Sequence, residues 1–282
     1  MFRTLNVETS AVAAPPPAQV SIRLGMPHMS ATGVHRSWVL REACHRHWLS
    51  IAAEAGVTPS ELRDLTGARV MPSVVACTLK GDAGAFHEDD ICTFVQTEAP
   101  TARNGWCSRS DLRGPDGALS TEILTSFARR NGRSNAKLGT PELETMYKAN
   151  HGHDAARRAA ILRTLGRHDR DRALRDDGPP HMSFEIHEDT HLNGVGLVYF
   201  ANIHDMIERA ERNAAPEIPG RYPMQNRRVH FFGNLDVGDR LEICARASVQ
   251  RISPDATVAI QSHARRASDG AVIASAESIY RH

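Results

Sequence analysis

Apolar and polar positions along the chain follow two periods, one helical and one alternating, and the two occur in the same order twice. Between residues 36 and 55, Trp38, Val39, Cys44, Trp48, Ile51, Ala52 and Ala55 fit one buried side of a helix that stops at Gly56. Thr58-Pro59-Ser60-Glu61 has capping-box spacing with proline at the first helical position, which predicts a second, short helix. The texture then turns strand-like over 69–79, 86–98, 105–113 and 118–129, with Gly114-Pro115-Asp116-Gly117 as a tight turn between the last two. After Pro179-Pro180 the order returns. A short strand around Met182–Ile186 leads to a helix from about Gly196 to Arg212, then to strands near 221–233, 239–251, 256–267 and 271–281. Ser253-Pro254-Asp255 and Ser268-Asp269-Gly270 supply turns.

Sliding the chain on itself makes the repetition concrete. Gly33-Val34 followed by Trp38 lies 161 residues before Gly194-Val195 followed by Tyr199, and Asp116-Gly117 lies 153 before Asp269-Gly270. Strand, polar turn, long helix and four strands therefore recur, the mark of an internal duplication. The predicted organisation is a poorly ordered tail at 1–20, a first unit at 21–138, a connector at 139–178 and a second unit at 179–282. In the connector, Thr140-Pro141-Glu142-Leu143-Glu144 opens a predicted helix and Asp154 caps another through Ala155–Leu165. From His168 to Asp177 it is dense in Arg and Asp, so it reads as a partly helical, self-solvating surface arm. The fold class expected is α+β: two antiparallel sheets, each wrapped around a long helix.

Composition narrows the function classes. The net charge of +1 gives no electrostatic case for nucleic acid, and no apolar run approaches the length of a bilayer span, so no membrane partner is expected. The first residues lack the layout of a secretory signal. Five cysteines (Cys44, Cys77, Cys92, Cys107 and Cys244) never form a C-x-x-C pair and read as free thiols, which points to a cytoplasmic protein.

The chemistry concentrates in His187-Glu188-Asp189-Thr190-His191-Leu192-Asn193-Gly194-Val195-Gly196-Leu197-Val198-Tyr199-Phe200-Ala201-Asn202. His-Glu-x-x-His on a helix would be a zinc protease motif, but the third ligand position is Leu197. Ser183-Phe184-Glu185-Ile186 alternates like a strand, and Asn193-Gly194 breaks a helix. The preferred reading is a strand end, a polar turn and the start of an apolar helix, with no metal. His187, Asp189 and His191 then cluster as turn formers or as acid–base groups. Cys44, His45 and His47 read as core or surface rather than metal ligands. Arg129-Arg130 and Arg265-Arg266 are candidates for phosphate binding or for solvated strand edges.

These residues carry a family resemblance. Asn193-Gly194-Val195-Gly196-Leu197-Val198-Tyr199-Phe200-Ala201-Asn202 resembles the helix start of acyl-thioester hot-dog proteins. It is most similar to that of the double hot-dog acyltransferase/decarboxylases of polyketide biosynthesis, of the leinamycin-pathway type. Gly25-Met26-Pro27, Trp38-Val39-Leu40-Arg41-Glu42 and His45-Arg46-His47-Trp48 resemble that group's first helix, and Ser126-Phe127-Ala128-Arg129-Arg130 with Ser134-Asn135 the end of its first domain. The likeness spans about 21–138 and 179–282. It implies a double hot dog that moves a malonyl or methylmalonyl group from coenzyme A to an acyl carrier protein with loss of carbon dioxide. No cofactor is implied beyond the coenzyme A or phosphopantetheine that carries the substrate, and the assembly is left open to a homodimer.

Decarboxylation builds charge on the thioester oxygen, so donors must be aimed there. The amides of Gly194, Val195 and Gly196 at the expected helix start, and the Asn193 side chain, are candidates. The matching turn of the first unit offers Ser30, Thr32, Gly33 and Val34, with Thr32 opposite Asn193. The resemblance implies that Asn135 reaches the same cleft, with Arg129 a candidate for the phosphates of coenzyme A. The chain has no tyrosine before Tyr147, so either His28, Ser30 or Thr32 stands where the family uses a tyrosine of the first unit, or no covalent step occurs. A dehydratase pair of His28 and Asp189 fits less well, because five places separate His28 from Gly33. A thioesterase using Asp189 or Glu185 to activate water is the alternative reaction, and a non-catalytic carrier-protein-binding protein the alternative outside catalysis.

Overall fold

The computed structural model describes residues 19–97, 101–102, 105–143, 153–176, 178–218, 222–252 and 255–281. The predicted tail lies outside them except for its last residues, which belong to β1 (Gln19–Arg23). A small hairpin of β2 (Met29–Ser30) and β3 (Gly33–Val34) precedes α1 (Arg36–Glu54). The first unit continues with β4 (Val70–Lys80), β5 (Ile91–Thr97), β6 (Thr101–Ala102), β7 (Gly105–Arg113), β8 (Ala118–Arg130) and β9 (Leu138–Gly139). Helix α2 (His153–Arg175) crosses to β10 (Met182–Glu185), α3 (Glu188–His191) and α4 (Phe200–Ala214). The chain closes with β11 (Met224–Phe231), β12 (Arg240–Ile252), β13 (Asp255–Arg266) and β14 (Val272–Arg281).

The strands form one twelve-stranded antiparallel sheet, not two, in the order β1-β5-β7-β8-β4-β11-β14-β13-β12-β10. Each half has the same internal order: its first strand at the outer edge, then its third, fourth and fifth long strands, then its second. The halves join where the second long strands pair, Ala76–Lys80 of β4 against Asn226–His230 of β11. Helix α1 contacts β4, β5, β7 and β8; α4 contacts β10, β12 and β13; and the two helices touch each other. The main core is accordingly one continuous cluster, running from Leu24, Leu40 and Phe94 to Ile207, Ile243 and Ile260, rather than one core per unit.

Local signals explain most element ends. At the end of α1, Gly56 takes φ +70°, its amide donates to the Ala53 carbonyl at 3.0 Å and that of Val57 to Ala52 at 3.0 Å, a Schellman stop. The capping box at Thr58 also forms, with the Glu61 carboxylate accepting from the Thr58 amide at 2.9 Å. The predicted second helix does not follow. The chain makes a single turn, and the Arg63–Arg69 bridge then sets it up for β4. The expected strand at 86–98 begins only at Ile91, because Asp89 at φ +70° ends a loop there. Residues 140–143 are not helical, and the rest of that predicted helix lies outside the described residues.

The connector departs most from expectation. Helix α2 runs to Arg175 and packs on the sheet instead of solvating itself, because its helical period gathers Ala155, Ala159, Leu162, Gly166, Asp169 and Ala173 on one buried stripe. Its Arg and Asp residues mostly face outward. Asp169 is the exception: it takes His230 Nδ1 at 2.8 Å and Arg228 at 3.3 Å. Burial opposes its ionisation, but His230, Arg228 and Arg172 together hold the carboxyl below its ordinary range. Among the described residues, no helix is long and apolar enough to cross a membrane, and the five cysteines are buried and unpaired.

The duplication extends to side chains. His47 of α1 is buried, with Ser108 Oγ at 2.6 Å and Thr125 Oγ1 at 2.9 Å. Glu211 of α4 is buried against Ser262 Oγ at 2.8 Å and Ser278 Oγ at 3.0 Å. In each half the two hydroxyls sit on the neighbouring strands β7 and β8, or β13 and β14, at matching register positions. Burial pushes the His47 pKa down to about 4, and that of His263 to about 4 as well. An unfolded histidine titrates near 6.5 and so binds a proton that the folded protein excludes between those values. Stability is therefore complete above pH 6.5 and falls as the pH drops toward 4, by about 3 kcal/mol for His47 alone. Urea midpoints measured from pH 7 to pH 4 should fall through that window, with a shallower fall in a His47→Gln variant.

Candidate functional site

Where the two helices meet, a cleft of about 840 Å³ opens. Cys44, His45 and Trp48 of α1 form one wall; Asn193–Val195, Leu197–Phe200 and Ile203 form the other. Residues 70–75 and 126–128 make the floor, and Asn135, Ala136 and 138–140 with 231–234 close the ends. A bulge in β4 between Val74 and Ala76 shifts the strand register at this floor.

The wall from Asn193 to Tyr199 is a loop that satisfies itself. Asn193 Oδ1 accepts the amides of Val195 and Leu197, each at 3.1 Å, and its carbonyl takes the Gly196 amide at 2.7 Å. Gly196 sits at φ +70°, a conformation glycine adopts at little cost. Asn234 Oδ1 accepts the Val198 amide and its Nδ2 donates to the Val198 carbonyl, both at 3.1 Å. The Tyr199 amide donates to the His191 carbonyl at 2.9 Å. The helix consequently starts at Phe200, with Tyr199 as its N-cap, four residues later than the predicted start at Gly196. The expected amide donors of Val195 and Gly196 are thus used within the loop. Those with no intrahelical partner by position are Phe200 and Ala201, in the first turn of α4.

The predicted residues divide accordingly. Asn135, Asn193, Gly194 and Val195 line the cleft; His28, Ser30, Thr32, Gly33, Val34, Asp189, Gly196 and Arg129 do not. Asn135 Nδ2 donates to the carbonyls of Gly196 at 2.8 Å and Leu235 at 3.1 Å, so its donors buttress the loop. Arg130, not Arg129, reaches the loop, at the Val195 carbonyl (2.7 Å). Arg129 is held by Asp64 at 3.2 Å and by Thr66 at 3.1 Å. Arg265 is bound by the carbonyls of Ala173 and Asp176, and Arg266 pairs with Asp269 at 3.3 Å.

The first-unit turn is the same device on the other side of the duplication. His28 Nδ1 accepts the Gly25 amide at 2.9 Å and its carbonyl takes the His35 amide at 2.8 Å, just before α1. His191 Nδ1 likewise accepts the His187 amide at 2.9 Å, and its carbonyl takes Tyr199 before α4. His28 and His191 are therefore equivalent loop organisers, and the residue matching Asn193 is Ser30, whose Oγ accepts the Thr32 amide at 3.3 Å. Val34 is buried, and a side chain on Gly33 would strike the Ala83 carbonyl at 2.0 Å. His187 and His191 flank the single helical turn α3, which the sequence reading assigns to a plain turn. Its end is set by the Leu192–Val198 bridge, and Leu197, in the third ligand position, is buried.

The ionisable side chains among the described cleft-lining residues are Cys44, His45, Arg69 and Tyr199; no carboxylate is among them. Burial pushes the Cys44 thiol up to about 12, tempered by the neighbouring Tyr199 hydroxyl. Burial likewise holds the Tyr199 phenol well above its ordinary range. Arg41 lies 5.8 Å from the Tyr199 ring centre. Tyr199 and Cys44 escape the sequence reading as a pair, because only the helix–helix contact brings them together. Among the described residues, His204, Asp205 and Glu208 could also gather round an ion. Arg36 at 3.0 Å and Arg212 at 2.9 Å already hold Glu208, and Arg41 lies 3.7 Å from Asp205, so positive charge opposes a cation there.

Comparison with known proteins places this architecture. No family model matches the chain, and no curated protein is significantly similar to it. A putative oleoyl thioesterase from Lactobacillus plantarum has a similar structure, with a TM-score of 0.66 at 9% identity over 96% of this chain and 98% of that one. A 12:0-ACP thioesterase from Umbellularia californica gives 0.61 at 10% identity over 93% and 96%. An acyl-ACP thioesterase from Bacteroides thetaiotaomicron gives 0.59 at 7% identity over 93% and 96%. At these identities the likeness is one of fold.

The loop geometry has a direct consequence. An Asn234→Ala substitution removes both bonds to Val198 and should lower unfolding stability by about 1–3 kcal/mol, measured by urea denaturation.

Proposed function

We propose that this chain is a double hot dog whose cleft binds an acyl thioester of coenzyme A or of an acyl carrier protein and breaks it at the head of α4. The observation that carries the reading is the cleft itself. It is a cavity of about 840 Å³, shared by both halves, with Tyr199 and Phe200 at the start of α4 in its wall. Such a cavity suits an acyl chain, and helix-start amides suit the oxyanion or enolate oxygen that forms when a thioester reacts. The duplicated strand order and the overall likeness to solved thioesterases support it.

Two acceptors for the acyl group separate the readings. Hydrolysis is favoured by the fold likeness to thioesterases. Transfer to a carrier thiol with loss of carbon dioxide is favoured by a specific observation together with the family resemblance of residues 193–202. No carboxylate among the described lining residues is placed to activate water, whereas decarboxylation needs donors for the enolate and a dry site. The site residues of this reading are the amide of Phe200, with Asn193, Asn135 and Asn234 holding the loop that presents it.

Mass spectrometry after incubation with dodecanoyl-, malonyl- and methylmalonyl-coenzyme A, with and without a carrier protein bearing its phosphopantetheine arm, tests this. Free acid marks hydrolysis, and a carrier loaded with acetyl or propionyl marks transfer with decarboxylation. Unchanged thioester in every arm removes both readings in favour of a binding protein.

A further inference from the structure

The Tyr199 hydroxyl has no assigned part in the loop that surrounds it. The residue caps α4 through its backbone, while its side chain leans across the cleft to the Cys44 thiol of α1, and both groups line the cavity. Sulfur is a weak acceptor, so a phenol beside it keeps most of its donor capacity for a stronger partner. A thioester oxygen, and still more an enolate or tetrahedral oxyanion, is such a partner. The ring is fixed on several sides: Phe200 lies edge-on at 4.9 Å, Arg41 sits 5.8 Å from its centre, and the Tyr199 amide is bound to His191. A donor held this way needs little reorganisation when charge develops beside it.

We infer that Tyr199 is a catalytic hydrogen-bond donor, its phenolic O–H turning from the Cys44 sulfur to the thioester oxygen beside the amide of Phe200. This rests on the acyl-thioester reading above and adds the group that completes its oxyanion site. No bond to Tyr199 forms in this role: the phenol stays protonated throughout, as its burial favours, and the acyl group passes directly to water or to the carrier thiol.

The test measures steady-state kinetics of the full chain on whichever of the three coenzyme A thioesters it turns over, alongside thermal unfolding. Tyr199→Phe keeps the ring and its packing, and should lower kcat on the order of 10²-fold, the loss typical of one oxyanion donor. KM should stay within about threefold, because a donor used mainly in the transition state adds little to ground-state binding. Cys44→Ser sets a stronger acceptor beside the phenol and should also lower kcat, by about tenfold, by holding the O–H away from the substrate. It carries the test alone if Tyr199→Phe unfolds early. A kcat left at the wild-type value, or a rise in KM alone, overturns the role of Tyr199 and leaves the thioester reading standing. Wild-type protein that turns over none of the three thioesters overturns both.

Discussion

The pairing of β4 with β11 is the constraint on which the rest of the structure depends. It joins the two halves through their second long strands, so α1 and α4 come to lie together against the same sheet. Without that contact neither half owns a complete cleft, since one wall is Cys44 and Trp48 and the other is Tyr199 and Phe200. The same strand also locks the layers above and below. Arg227 and Arg228 are adjacent on β11, so their side chains point to opposite faces. Arg227 reaches Glu211 of α4 at 2.5 Å, and Arg228 reaches Asp169 of α2 at 3.3 Å. Neither ion pair is inexpensive to desolvate, and removing Glu211 would leave the buried Arg227 charge without its carboxylate, which makes α4 hard to detach.

Duplication offers two clefts, and the sequence fills one. Aligning the helix starts, Arg36 with Phe200, sets Cys44 against Glu208 and His47 against Glu211. The deeper pair is conserved in role, since each is a polar group satisfied by two strand hydroxyls. The shallower pair has diverged. Around the head of α4, Phe200 and Cys44 leave an open, largely apolar wall. Around the head of α1, Arg36 binds Glu208 at 3.0 Å, and Arg212 binds the same carboxylate at 2.9 Å. Arg36, with Arg212, holds that carboxyl down to about 2 although burial opposes its ionisation, so the pairing persists at any ordinary pH. One helix head thus borders an open cleft, and the other is closed by ion pairs.

Much of this was legible in the residues. Alternation over 105–113, 118–129 and the last four strands follows from half-buried sheet faces, and the double occurrence of helix-then-strands follows from the shared architecture. The helix start was not legible, because Asn193 and Gly196 look like a cap and a first turn. Only the Leu192–Val198 bridge and the grip of Asn234, thirty-six positions away from Val198, show that the amides there are used up. The offset of 161 hid the match between His28 and His191, since the second loop is longer by one residue between its bridged ends, Met29–Val34 against Leu192–Val198. In α2 the dense Arg and Asp content masked a stripe of small residues, and Asp169 needed partners from β11 to be buried at all. These misses are long-range contacts overriding local patterns.

On the acyl-thioester reading proposed above, the character of the cleft also bears on which acyl groups it would process. Its floor is mainly uncharged, and its rim carries His45 and Arg69. A fatty acyl chain entering such a space gains burial alone and is then limited by how water is activated. A malonyl carboxylate entering it loses hydration without a counter-charge from the described floor residues, which raises its energy relative to the departing carbon dioxide and the enolate that remains. On that reading the donors at the head of α4 would act on the thioester oxygen in both cases. Selection between the two reactions then lies less in that oxygen's site than in what meets the far end of the acyl group: a dry apolar floor for a carboxylate that must leave, or an ordered water for a chain that must be released.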